Sequence, residues 1–303
     1  MSKAVLIGWI GCMLATLTVV GQGEDDQQRL QVITKRITKT FPYSDGFEVN
    51  LEGENAEVLV ESWGKKEIYV QIELIAKHPD KAQATKDLER MAYLLDRAKN
   101  NIYIRNYVQE SEKTDNTAVL EARYIIRLPE SCPVYIKNQF GETDVRNLTS
   151  QLRIFNEFGN VDLFNITGGM EMRTKFSEVR GAQLVGDFDI FARRSQLDFR
   201  DVVGNYNITA EYSTLNLWAG EGLIDLNIDA KKTDVQLFNI DPKTHQHQLV
   251  VQHGNVVVPN AWQFEFEEDT PYIKKLTFQP NSEYFATITV NISFGDLKIE
   301  RKQ

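Results

Sequence analysis

Residues 138–179 read NQFGETDVRNLTSQLRIFNEFGNVDLFNITGGMEMRTKFSEV, and the pattern in this stretch returns every 18 residues. A two-residue mark, a large side chain followed by a small residue, recurs in five places: Phe140-Gly141, Phe158-Gly159, Phe176-Ser177, Arg194-Ser195 and Tyr212-Ser213. A second column has the same period: Gly168, Gly186, Gly204 and Gly222. Two independent columns with one spacing indicate an internal structural repeat.

Apolar residues between these marks also fall into columns. The first column contains Thr143, Val161, Val179, Leu197 and Leu215, and its neighbour lies two residues further on. A separation of two residues is the period of a β-strand. Further columns follow the glycine, one of them composed of Leu152, Met170, Phe188, Tyr206 and Ile224. The pattern therefore predicts two short strands in each repeat.

A unit of this length cannot bury its apolar edge alone, so successive units are expected to stack. Stacked strands lie about 4.8 Å apart, and a constant period keeps their register. We predict an all-β fold, namely a parallel β-solenoid (β-helix) with 18 residues per coil. Phe158 and Leu163 are expected to point into its core, and the glycine column is expected to adopt positive φ at turns.

The rest of the chain is organised around this region. Residues 30–132 are predicted to form a β-rich N-terminal region with one α-helix over residues 80–100, where apolar residues have helical spacing after Pro79. Residues 133–303 are assigned to the solenoid, including an atypical C-terminal capping segment. Departures from the period at residues 229–232, 241–248 and 262–284 are interpreted either as capping elements or as binding loops.

The first 22 residues resemble a secretory signal peptide, with Lys3 before an apolar run over residues 4–20. A membrane anchor and a lipidation site at Cys12 are the alternatives. After cleavage Cys132 is the only remaining cysteine, so an internal disulfide is excluded. We expect an exported protein of the periplasm or cell surface of a bacterium, with no membrane span in the mature chain.

The net charge and the sequence motifs limit the classes of function that we expect for the chain. A net charge of −9 disfavours nucleic acid as a partner. His245 and His247 lie near Asp241 and His253, and a His-x-His pair on a strand points both rings to one face, as in some metal sites. An ordinary polar loop is the preferred interpretation, so we expect no metal, no cofactor and no catalytic residue.

Acidic residues aligned by the repeat provide the main argument for an enzyme. Two carboxylates at suitable separation serve glycoside hydrolysis, and parallel β-helices carry such enzymes. The candidates are Asp144, Asp162, Asp189, Asp198 and Asp225. Arg180 and Asn216 share a column with some of them, so a solvated face with alternating charge explains the same pattern.

Aromatic residues in columns expected to face outward are the candidate ligand-binding residues. Exposed rings on a flat repeat surface stack on sugars or contact a protein partner. The candidates are Phe155, Phe164, Phe191, Trp218 and Trp262.

Three further stretches carry a family resemblance: residues 53–63 (GENAEVLVESW), 126–129 (IRLP) and 138–141 (NQFG). Together with the Phe-Gly marks, they resemble bacterial "putative adhesin" domains of unknown function, the head-GIN type included. The resemblance implies a similar fold and supplies no catalytic residues. We predict an exported, non-enzymatic binding or structural protein of the envelope, with a glycan or an envelope protein as partner. A secreted polysaccharide lyase or glycosidase on a parallel β-helix is the alternative.

Overall fold

The computed structural model describes residues 30–109, 118–259, 262, 264–280 and 286–300. The predicted signal peptide and Cys12 lie outside these residues. Within them the chain is all-β with one helix, and none of the described helical residues form a segment long and apolar enough to cross a bilayer.

The N-terminal elements are β1 (Gln31–Pro42), β2 (Glu48–Glu54), β3 (Ala56–Ser62), β4 (Glu67–His78), α1 (Lys81–Glu89), β5 (Met91–Ala98), β6 (Asn101–Val108) and β7 (Val119–Leu128). Asp80 caps α1 by accepting a hydrogen bond from the Ala82 backbone N–H at 2.8 Å. The helix predicted over residues 80–100 is therefore too long. Its second half is β5, because a tight turn at Lys99 (φ 55°) pairs β5 with β6 in an antiparallel hairpin.

The central elements are β8 (Val134–Gln139), β9 (Glu142–Leu148), β10 (Leu152–Glu157), β11 (Asn160–Lys175), β12 (Glu178–Arg193), β13 (Gln196–Glu211), β14 (Thr214–Lys231) and β15 (Asp234–Phe238). From β8 to β13, neighbouring strands pair in parallel with an offset of 18 residues, so that Val161 lies beside Val179 and Val179 beside Leu197. This register aligns the apolar columns of the sequence.

The C-terminal elements are β16 (His245–Gln252), β17 (Val256–Val257), β18 (Glu265–Asp269), β19 (Ile273–Phe278), β20 (Ala286–Ser293) and β21 (Leu297–Glu300). Although β20 and β21 come last in sequence, β20 lies between β14 and β16, and β21 lies between β15 and β17. The N-terminal end has the same arrangement, with β2 between β6 and β8, and β3 between β7 and β9.

The sheet is mixed, whereas the repeat predicts a purely parallel one. Antiparallel pairs occur at the N-terminal end (β1 with β4, β4 with β7, β5 with β6) and at the C-terminal end (β16 with β19, β18 with β19). These strands lie before or after the stretch with the 18-residue period, so that pattern contains no signal for their pairing.

The core is formed by the buried apolar columns of the strands. Leu163 is 3% exposed, as expected. Phe158 is 46% exposed, so the prediction that it points inward is wrong. Its backbone has φ 57°, and this left-handed conformation at a corner of the repeat turns the ring outward.

The first departure from the period does not lie at residues 229–232, where the sequence predicted it. Residues 229–231 belong to β14 and pair with β13 in regular register. The extra residues are instead accommodated between Leu217 and Asp225, where the register shifts, so that Leu223 lies beside Gly204 in the place expected for Gly222. Leu226 consequently pairs with Tyr206, and Ile224 is 53% exposed.

The second departure, residues 241–248, also differs from the expectation of a removable loop. Its first residues form a turn, but His245 begins β16, and His245 and His247 are 7% and 0% exposed. Deleting this segment would remove core residues. The aromatic segment over residues 262–284 contributes the β18–β19 hairpin, and Tyr284 lies outside the described residues.

Gly186 shows why the glycine column is needed. Its φ is +144°, and a Cβ atom added there would lie 1.8 Å from the carbonyl oxygen of Gly168 in the preceding repeat. Gly168 and Gly204 also have positive φ, as expected for the column. Close approach of successive backbones thus excludes a side chain at this corner.

We expect Gly186→Ala to destabilise the protein by about 2 kcal/mol or more, because both φ and the available space oppose a methyl group. Gly64→Ala is the matched control, since none of the described residues lies within 4 Å of a Cβ at Gly64. Its effect should stay within about 0.5 kcal/mol. Urea unfolding followed by circular dichroism measures both, and equal effects would contradict the close contact.

Candidate functional site

The five candidate aromatic residues are distributed over three places. Phe155 and Phe191 line one groove, Phe164 and Trp218 lie in a column on another face, and Trp262 is 9% exposed. Trp262 packs against the rings of His247 and Phe264, at centroid distances of 5.6 and 5.4 Å. Trp262 therefore belongs to the core of the C-terminal end.

The groove between Phe155 and Phe191, called here the Phe155–Phe191 groove, has a volume of about 810 Å³. Phe155 lies beside Arg173, and Arg173 lies beside Phe191, in successive parallel strands. The guanidinium carbon of Arg173 is 5.7 Å from the centroid of the Phe155 ring. Alternation along each strand directs these three side chains outward, while their neighbours Ile154 and Ile190 fill the core.

Charges in this groove are compensated. Lys137, Arg173 and Lys175 line it together with three acids, Glu157, Glu171 and Asp189. Arg173 lies 3.1 Å from Glu171, and Lys175 lies 2.7 Å from Glu157. The hydrogen bond from Lys175 is the main cause that lowers the pKa of Glu157. Equal numbers of cations and anions leave a surface that is polar but without net charge.

The second face carries the column of Phe164 and Trp218. Between these rings lie Ala182 and Arg200, and the guanidinium carbon of Arg200 is 4.7 Å from the centroid of the Trp218 ring. Trp218 also stacks on Phe238 with a centroid distance of 4.3 Å. Phe164 is 46% exposed and borders a cavity of about 560 Å³.

The candidate catalytic acids have partners. Asp144, Asp162 and Asp198 lie along this cavity, and each has an arginine within 4.0 Å: Arg146, Arg180 and Arg200, respectively. Asp189 accepts a hydrogen bond from Asn207 at 3.0 Å, and Asp225 accepts one from the Thr287 backbone at 3.2 Å. Pairing of each acid with a neighbouring donor is also the arrangement of a solvated face with alternating charge, the other interpretation of these residues.

The histidine pair forms a buried cluster. The rings of His245 and His247 are 6.5 Å apart, and Nε2 of His245 lies 3.2 Å from the carbonyl oxygen of Leu223. Phe264, Phe278 and Trp262 surround His247, and neither of its ring nitrogens has a hydrogen-bond partner in the part of the chain that the structure describes. No group of three or more His, Cys, Asp or Glu side chains could hold a metal ion within the described residues.

Cys132 is also buried. Desolvation raises the pKa of its thiol to about 12, which keeps it protonated and unreactive at neutral pH.

Sequence reasoning missed one surface, although its signal is the Phe-Gly mark itself. The first residue of each mark lies at an exposed corner, and the side chains stack: Phe140 on Phe158 at 5.0 Å and Phe158 on Phe176 at 4.8 Å. The column continues through further repeats. We call it the outer ladder, and its members are Phe140, Phe158, Phe176, Arg194, Tyr212, Lys232, Phe294 and His253.

The buried His247 should make stability depend on pH. Desolvation lowers its pKa to about 4 from 6.5, so the unfolded chain binds a proton first as the pH falls through this window. We expect this residue to reduce the free energy of unfolding by up to about 3 kcal/mol between neutral pH and about pH 4. His247→Leu should remove that part of the loss, whereas His253→Gln, at an exposed position, should retain it. Urea unfolding at several pH values measures the difference, and parallel pH profiles for wild type and His247→Leu would contradict it.

Comparison with known proteins gives structural neighbours only. No family model matches the chain, and no curated protein matches it. A "putative lipid binding protein" from Parabacteroides distasonis is 10% identical, with 88% of this chain and 96% of that chain covered and a TM-score of 0.42. A "putative adhesin" from Bacteroides fragilis is 11% identical, with 88% and 97% covered and a TM-score of 0.36. A "putative cell adhesion protein" from Clostridium sporogenes is 12% identical, with 89% and 100% covered and a TM-score of 0.28.

Proposed function

We propose that this chain is an exported, non-enzymatic binding protein of a bacterial envelope, and that its parallel region is a β-solenoid of 18-residue coils. The parallel pairing of β8 to β13 at constant offset supports the solenoid. The apolar run after Lys3 supports export, to the periplasm or the cell surface.

The Phe155–Phe191 groove is the proposed ligand-binding site, and its geometry is the observation that carries the proposal. The two rings lie two repeats apart, which corresponds to about 9.6 Å along the stack. Arg173 lies between them in the same column. Since all three side chains project from paired strands, their spacing is fixed before a ligand arrives, and less conformational entropy is lost on binding.

A neutral glycan fits this groove better than a charged partner. Aromatic rings supply apolar surface to the C–H face of a sugar, and polar side chains such as Asn207 and Thr209 at the groove supply hydrogen-bonding groups for hydroxyls. The balanced charges attract neither anions nor cations strongly. An envelope protein is the second class of partner, and the same side chains would contact it.

The paired acids support binding without turnover. Each of Asp144, Asp162 and Asp198 lies next to an arginine, as on a solvated surface with alternating charge. The proposal therefore predicts that a bound glycan is released unchanged.

We expect Phe155→Ala combined with Phe191→Ala to weaken glycan binding by about tenfold or more, because both ring contacts are lost. Phe164→Ala is the matched control, since it removes an exposed ring from the other face. A glycan array identifies ligands, isothermal titration calorimetry gives the affinities, and mass spectrometry of the recovered glycan tests for cleavage. Retained affinity in the double variant would exclude this groove, and cleavage products would replace the binding protein with the alternative, a polysaccharide-active enzyme.

A further inference from the structure

The outer ladder consists of residues that rarely occupy its backbone conformation. All eight members have φ between 50° and 61°. This left-handed region is unfavourable for bulky side chains, and glycine, asparagine and aspartate adopt it more readily. Because eight bulky residues adopt this conformation, a property of their side chains, and not the geometry of the turn, explains why these residue types occur here.

The neighbouring turn within the repeats provides an internal comparison. It is also left-handed, at Asn147, Asn165, Gln183 and Asp201, with φ between 53° and 58°. Those residues are polar and mostly short, as the conformation favours. The large rings and cations of the outer ladder are therefore not a requirement of the fold.

Ring stacking explains the phenylalanines, but it does not explain Arg194 and Lys232. The guanidinium carbon of Arg194 lies 5.2 Å from the Phe176 ring centroid and 5.8 Å from that of Tyr212. Nζ of Lys232 lies 5.1 Å from the Tyr212 centroid. Thus two cations hold the ring of Tyr212 between them at the surface.

Among the described residues, Arg194 has no carboxylate within 4.0 Å, which is unusual for an arginine of this chain, and Lys232 has none either. Every other arginine in the described residues, except Arg97, has such a partner, and these are Arg36, Arg90, Arg105, Arg123, Arg127, Arg146, Arg153, Arg173, Arg180, Arg193 and Arg200. The described contacts of the Arg194 guanidinium are with rings, and an exposed cation that is oriented but not neutralised is available to an anionic ligand.

The two ladder cations are regularly spaced. Arg194 and Lys232 lie two repeats apart, about 9.6 Å along the stack, whereas the preceding Arg193 is paired with Glu211. Phe176, Arg194, Tyr212 and Lys232 line a shallow depression of about 720 Å³, and its acidic lining residue, Glu178, is paired with Arg180. The chain as a whole has a net charge of −9, so this is a local basic site on an acidic protein.

We propose that the Arg194–Tyr212–Lys232 part of the outer ladder binds a linear, carboxylate-bearing polysaccharide. Arg194 and Lys232 meet acidic groups along one chain, and the Tyr212 ring edge contacts the sugar between them. This site is separate from the neutral Phe155–Phe191 groove and does not depend on the function proposed for it.

A single polymer chain is favoured over an anionic membrane by the acids beside the ladder. Glu211 lies on one side, and Glu178 and Asp234 lie on the other, all in strands that flank the ladder residues. A flat anionic surface would contact these carboxylates and be repelled. A narrow chain that follows the ladder meets the cations first.

The test compares oligogalacturonate with its fully methyl-esterified form, which has the same length without the charges. Wild-type protein should bind the acidic oligomer with an affinity that falls as salt concentration rises, and should not bind the ester. Arg194→Gln combined with Lys232→Gln should weaken this binding roughly tenfold or more. Glutamine suits the backbone, because Gln183 already has φ 57°.

Two control variants check that binding occurs at the ladder and does not follow from net charge or from the groove. Lys65→Gln combined with Arg105→Gln changes net charge equally, far from the ladder in sequence and strand order, and should leave binding unchanged. Phe155→Ala combined with Phe191→Ala should also retain it. The proposal is wrong if wild type does not bind oligogalacturonate, if the ester binds equally, if the ladder variant binds like wild type, or if only vesicles of anionic phospholipid are bound.

Discussion

The hydrogen-bonded register between successive 18-residue repeats is the constraint on which the rest of the structure depends. Since the paired strand residues from β8 to β13 lie beside their equivalents 18 residues away, the apolar core columns stay on one side of the strands. The same register brings the backbones so close at Gly168 and Gly186 that no side chain fits there. Core composition, turn composition and surface columns are thus consequences of one alignment.

A stack of parallel strands leaves an edge strand with unpaired backbone groups at each end, and such an edge can pair with strands of other chains. Both ends of the sheet are protected in the same way. Two strands distant in sequence lie between two other pairs of strands, and antiparallel strands cover the outer edge. In the described residues, β1 pairs with β4 alone and β18 with β19 alone. Lys35 and Lys39 on β1, and the fully exposed acidic β18, oppose further addition of strands.

The 18-residue period predicted which residues lie in one column, but not whether that column faces the core or the solvent. Leu163 and Phe158 belong to columns of equal regularity and were both expected inside, yet a left-handed backbone at Phe158 turns its ring to solvent. The grouping of Phe155 with Phe191 follows from their 36-residue separation, whereas the burial of Trp262 depends on contacts with His247 and Phe264, which lie outside the period. The helix after Asp80 was placed correctly at its start, because capping is local, and wrongly at its end, because β5 is fixed by its partner β6.

A surface built from columns favours ligands that are themselves repetitive and linear. A column offers equivalent positions about 4.8 Å apart on a backbone that cannot adjust one repeat without its neighbours, so contacts along it are fixed in spacing before binding. Changing one residue per repeat then changes the chemistry without changing the geometry: Arg173 between two phenylalanines is neutralised by Glu171, whereas Arg194 between Phe176 and Tyr212 is not. The Phe155–Phe191 groove and the outer ladder therefore differ in the charge of the ligand that they can bind. This difference arises from one acidic residue, Glu171, and not from a different backbone arrangement.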